Sequence, residues 1–103
     1  MEEVVLITVP TEEKAREIAR ALVEERLAAC VNILPGLTSV YRWQGEVVED
    51  RELLLVVKTT TFRFPALKER VLSLHPYSVP EILALPVAEG HRAYLDWLRE
   101  STE

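Results

Sequence analysis

Cys30, His75 and His91 are the soft or borderline metal ligands of this 103-residue chain, besides the initiator Met1. None falls in a C-x-x-C, H-x-H or H-E-x-x-H spacing, so no single segment assembles a metal site by itself. Cys30 lies in an apolar extended stretch, where an unpaired cysteine usually packs as a small hydrophobe. His91 follows Gly90 where a helix would begin, and the positive end of the helix dipole disfavours an imidazolium there. His75 stands between a helical pattern and an extended one, in "SLHPYSVPEILALP". Pro76 disfavours helical backbone at the residue before it, so His75 marks a helix end. A ring at that place either bonds the last free carbonyls of the helix or offers a nitrogen to a ligand. Both roles stay open.

Two charged residues are hard to place in a pure scaffold. Lys58 ends the apolar run "LLLVVKTT" and by alternation shares a face with Glu52, Leu54, Val56 and Thr60. A lysine there needs a counter-ion or an open edge, and a carboxylate across a subunit boundary is one solution. Glu81 heads the next extended run, "EILALPV". Tyr41, Trp43, Tyr94 and Trp97 are large rings with a polar atom, the kind that pack in cores and line seams or pockets. Tyr41, Trp43, Lys58 and Glu81 are ligand-cleft candidates in a second reading, a cleft between subunits for a small anionic ligand, with charge from Lys58, walls from the rings and orientation from Glu81. Packing of the rings and a salt bridge at Lys58 stay open beside it. Glu46, Glu49, Asp50 and Glu52 form a charged turn region that would attract divalent cations only weakly. Nucleophilic catalysis has no footing. Ser39, Ser73, Ser78 and Ser101 lack a G-x-S-x-G elbow, and three glycines cannot build a phosphate loop. An acylphosphatase needs an arginine and an amide-rich loop after its first strand, whereas this chain has the acidic "VPTEEKA". No enzymatic activity is expected.

The elements that must hold these residues follow from periodicity. Glu3 to Val9 is continuously apolar and β-branched, a strand buried on both faces. Pro10 ends it, Thr11 caps a helix of some 17 residues, and Ala15, Ile18, Ala19, Leu22, Val23 and Leu27 supply its apolar side. Cys30 to Leu34 and Thr38 to Trp43 form one strand with a bend or bulge at Pro35-Gly36. Gln44-Gly45 is a tight turn, and Val47 to Thr60 is the returning strand. Each arm would reach ~50 Å if straight, against ~25 Å for the covering helix. The hairpin must therefore project, with Val40, Trp43, Val47 and Val48 near its tip, and another copy of the chain is the simplest cover. Thr61 is the expected cap of a second helix, with Pro65 in its first turn and Phe64, Leu67, Val71 and Leu74 as its stripe. Glu81 to Val87 is a fourth strand, and Gly90-His91 opens a last short helix containing Tyr94, Leu95, Trp97 and Leu98. The expected fold is α+β, a ferredoxin-like split β-α-β-β-α-β with an extra C-terminal helix, in one domain over residues 1–103. Both main helices cover one sheet face. The other face is left apolar, a second argument for an oligomer.

Composition narrows the role. Apolar residues are 49% and charged residues 28% of the chain, the balance of a folded soluble protein. The net charge of −5 and the scattered Lys and Arg argue against a nucleic-acid partner. No apolar run approaches the ~20 residues of a membrane span, and the N-terminus lacks signal-peptide order. With Cys30 alone, a cytoplasmic address is expected. Asn32 and Gln44 are the only residues of their types, a bias compatible with heat resistance.

Taken in order, "AACVNILPGLTSVYRWQGEV", "LLLVVKTT", "HPYSVPEILALPV" and "YLDWL" resemble the CutA divalent-cation-tolerance family. Together they cover nearly the whole chain from Val4 to Leu98. The resemblance implies a homotrimer of ferredoxin-like subunits, similar in architecture to the PII signalling proteins, and an association with copper and other divalent cations. Copper binding in the family is linked to a cysteine in the first strand and histidines just before the "PY" pair. Here Ile7 and Leu74 stand at such places, so His75 is the one metal ligand the resemblance carries over. The expected function is divalent-cation tolerance through weak metal binding by a homotrimer. The alternatives are a PII-like sensor of a small anionic ligand in an intersubunit cleft, and a structural interaction platform.

Overall fold

The computed structural model describes all 103 residues as β1 (Glu2–Val9), α1 (Glu12–Glu24), β2 (Cys30–Trp43), β3 (Glu46–Thr60), α2 (Phe64–Leu74), β4 (Ile82–Pro86) and α3 (Arg92–Ser101). The strands form one antiparallel sheet in the order β2-β3-β1-β4, the split βαβ arrangement. Odd-numbered residues of β1 and β3 face α1 and α2. Val5, Ile7, Val9, Leu55 and Val57 are wholly buried there against Ala15, Ile18, Leu22, Leu67 and Val71. On the even side Val4, Leu6 and Thr8 are only half-buried, so within one chain β1 is sealed on one face rather than two.

Helix limits differ from the periodicity in instructive ways. Thr11 caps α1 as expected, its hydroxyl accepting the Lys14 N–H at 3.1 Å. The helix stops after 13 residues, short of the expected length, because Arg26 takes a left-handed φ of 59°. The Arg26 and Leu27 N–H groups then turn back onto the Val23 and Leu22 carbonyls, the Schellman arrangement with arginine where glycine is usual. Val23, in the last turn of α1, lies off the helix's buried face and is exposed, against the expectation that it joins the apolar side. Thr61 does not cap α2. Its hydroxyl and its N–H both donate to the Met1 carbonyl, which ties down the chain start, and the helix begins three residues later with Pro65 in its first turn.

The long hairpin forms as its turn chemistry dictates. Gln44 and Gly45 have φ of 50° and 82°, the two positive values of a type I′ turn. A register shift between Leu34 and Leu37, with Gly36 at φ 83°, bends β2 across Pro35-Gly36. The core stops at Leu53. Beyond Glu52 the ribbon is largely uncovered, leaving Val40 and Val47 more than 60% exposed in a molecule 44 Å long and about half as wide. The second sheet face carries Leu34 and Leu54, the row Val56–Leu6–Leu83, and the neighbouring Val4–Leu85 pair. Helix α3 packs on β3 and β1 at one end of the sheet, held by an Arg99–Glu2 ion pair and by the buried Leu98. The rest of that face has no helix over it.

Candidate functional site

Where α2 ends, three elements meet on the ring of His75. The residue closes the helix, its N–H reaching the Val71 carbonyl at 2.8 Å. Its Nδ1 accepts the Tyr77 N–H at 3.1 Å, which leaves Nε2 carrying the proton donated to the Thr8 carbonyl at 2.7 Å. The ring is buried and lies 4.9 Å from the Tyr77 ring, centre to centre. Both nitrogens are thus committed to backbone, one to β1 and one to the loop before β4. A metal could take His75 only by displacing one of those bonds.

The Tyr77 side chain continues the network. Its hydroxyl donates to Glu52 Oε2 at 2.9 Å, and burial together with that carboxylate drives its pKa well above the usual phenol value. Glu52 sits on β3 opposite Leu37, beside the β2 bulge, and is 5% exposed. The Tyr77 hydroxyl is its one hydrogen-bond partner, so Oε1 is uncommitted. Tyr41 makes a parallel bond to Asp50, and that bond chiefly, then burial and the charges of Asp50 and Glu52, raises its pKa as well.

Tyr41, Glu52 and Tyr77 line a groove of about 720 Å³ between the hairpin and the segment leading into β4. Tyr41, Trp43 and Glu81 of the sequence-derived cleft set meet here, joined by Glu52, Tyr77 and Thr8. Lys58 does not join them. It lies four residues along β3 from Leu54, the partner of Thr8, or roughly 13 Å away, and opposite Cys30 on β2. Its ammonium donates to the Asn32 side chain, so the partner it needs within the chain is an amide rather than a carboxylate. The remaining metal-ligand types are scattered. Cys30 is half-exposed near Asn32, His91 is exposed at the N-cap of α3 with no capping bond from its ring, and no three His, Cys, Asp or Glu side chains converge.

The groove is acidic and aromatic. Glu52 and Glu81 outnumber Arg42, the only cation on its wall. It suits a cation better than the expected anion. Sequence reasoning placed Glu52 in a solvated turn and passed over Tyr77. The readable signal was an acid adjoining the apolar run "ELLLVVK", on the same face as Leu54 and Val56.

Similarity to known proteins extends over nearly the whole chain. The family model described as CutA1 divalent ion tolerance protein matches residues 3–101. The divalent-cation tolerance protein CutA of Thermus thermophilus is 81% identical over 102 residues, covering 99% of both chains. A solved structure of the divalent cation tolerance protein (Cut A1) from Thermus thermophilus superposes with a TM-score of 0.98 at 80% identity, both chains fully covered. Human protein CutA is 53% identical over 94% of this chain, which spans 54% of the human protein's length. The Archaeoglobus fulgidus structure, described as a periplasmic divalent cation tolerance protein CutA, has a TM-score of 0.97 at 38% identity with full coverage of both.

Proposed function

Because the chain belongs to the CutA1 divalent ion tolerance family, we propose that it is a binding protein: a homotrimer that holds divalent cations, copper among them, weakly and without catalysis. The observation that carries the metal reading is the uncommitted oxygen of buried Glu52, lining one groove with Glu81. Two carboxylates with water completing the coordination sphere make a weak site for a divalent ion. His75 supports it less, since each nitrogen already holds a backbone group. The uncovered sheet face and the projecting hairpin support the trimer. A cytoplasmic address and heat resistance belong to the same reading; no helix is long and apolar enough to cross a membrane.

Calorimetric titration with copper(II) tests the metal assignment. Wild type and His75→Ala should give matching isotherms, and Glu81→Gln a weaker one. A wild-type titration without binding heat refutes the reading, and loss of binding in His75→Ala alone returns the site to the imidazole. A PII-like anion cleft is the second reading, favoured by the meeting of the Tyr41 and Trp43 rings and opposed by Glu52 and Glu81. It requires a neighbouring copy to bring the cationic Lys58, so Lys58→Met should abolish any anion-dependent thermal shift.

A further inference from the structure

We propose that the groove formed by Tyr41, Trp43, Glu52, Tyr77 and Glu81 binds a small organic cation with N–H donors, an alkylammonium or alkylguanidinium. Its volume of about 720 Å³ is far larger than a metal ion needs and lies in the range of small-molecule pockets. Glu52 is only 5% exposed to solvent, yet one oxygen has no donor. That oxygen opens onto the groove, and a cationic N–H donor bonds a carboxylate more strongly than a neutral one does. Quaternary ammonium ions have no N–H to give. Three rings stand beside the two carboxylates, and aromatic faces attract an organic cation while excluding water from it. Val79, on the segment leading into β4, is 70% exposed and offers apolar surface to an alkyl chain. Arg42 is the one opposing charge. It is exposed, paired across the ribbon with Val47, and makes no ion pair.

A metal ion and an organic cation would share the two carboxylates, but only the organic cation depends on the rings and the volume, so the two readings can fail separately. The test uses the full-length protein in its own assembly, titrated with agmatine and followed by calorimetry and tryptophan fluorescence. Saturable, salt-sensitive agmatine binding is expected, with Glu52→Gln and Glu81→Gln each weakening it about tenfold. Tetramethylammonium should bind at least about tenfold more weakly, and glutarate not at all. Glu81 is exposed, so its variant decides the matter if Glu52→Gln fails to fold. No agmatine saturation in wild type overturns the inference, including the case where a neighbouring copy fills the groove. So does unchanged affinity in the glutamine variants, or a preference for glutarate. Copper(II) titrated alongside separates the outcomes: copper heat without agmatine binding sinks this inference and leaves the metal reading standing.

Discussion

A buried imidazole that satisfies one carbonyl and one N–H costs most when it is removed without replacement. His75→Ala leaves the Thr8 carbonyl and the Tyr77 N–H unpaired beside a new cavity, so a loss of about 2–4 kcal/mol is expected. A fall in the thermal midpoint with an unchanged copper isotherm would establish the ring as structural; the reverse pattern would make it a ligand. Tyr77 gives a second residue-scale prediction. Its phenol stays protonated in the folded chain above the ordinary value of 10.0, where the unfolded chain gives the proton up. The folded state then binds more protons, so the stabilisation is complete below pH 10 and is lost as pH rises beyond it. Tyr77→Phe should flatten that alkaline decline, read by denaturation at increasing pH alongside the ultraviolet absorbance of tyrosinate. A decline of equal steepness in the variant would assign it to other groups. At this scale the sequence was partly legible. Pro76 announced the helix end at His75, but nothing local could say that the ring's acceptor is Thr8, 67 residues away.

Elements were more readable than contacts, because their limits depend on nearby residues. The type I′ turn at Gln44-Gly45, the bulge at Pro35-Gly36 and the Thr11 cap all follow from local backbone chemistry. The misjudged helix ends share a cause: a distant partner competes for a residue that local rules assign elsewhere. Thr61 is taken by Met1, and Arg26 bends the chain while its guanidinium donates to the Glu100 and Glu103 carbonyls, both 2.9 Å away. A cation at those carbonyls also meets the negative end of α3. Arg26→Ala keeps the left-handed backbone cost and loses both bonds, which predicts about 1–2 kcal/mol of destabilisation and faster amide exchange in α3. Arg26→Gly loses the same bonds but removes a backbone penalty of about 1 kcal/mol, so it should lie between wild type and alanine in stability. Amide exchange in α3 should be equally fast in both variants. Slow exchange in either would show that Leu98 packing, and not the guanidinium, holds the helix.

For the whole molecule, what matters is which apolar surface one chain cannot bury. The row Val56–Leu6–Leu83 crosses three strands on the face away from α1 and α2, and Leu83 and Leu85 remain 56% and 46% exposed. An apolar sheet face of this extent usually marks an interface. The continuous apolar run of β1 is readable from sequence as burial on both sides, and the second side is the part that a single chain leaves incomplete. The hairpin repeats the point, since its tip extends beyond the core that stops at Leu53. Self-association around this face, in closed threefold symmetry, would cover both features with one chain type. Leu83→Glu tests it cleanly because the position is exposed within the subunit, so the charge harms the assembly more than the fold. Sedimentation should give three times the chain mass for wild type and the single-chain mass for the variant, with circular dichroism little changed at low temperature. The variant should also lose much of its thermal stability, because subunit association stabilises the folded chain by mass action. An intact trimer in the Leu83→Glu variant would mean that this face is not the interface, and that the hairpin alone holds the copies together.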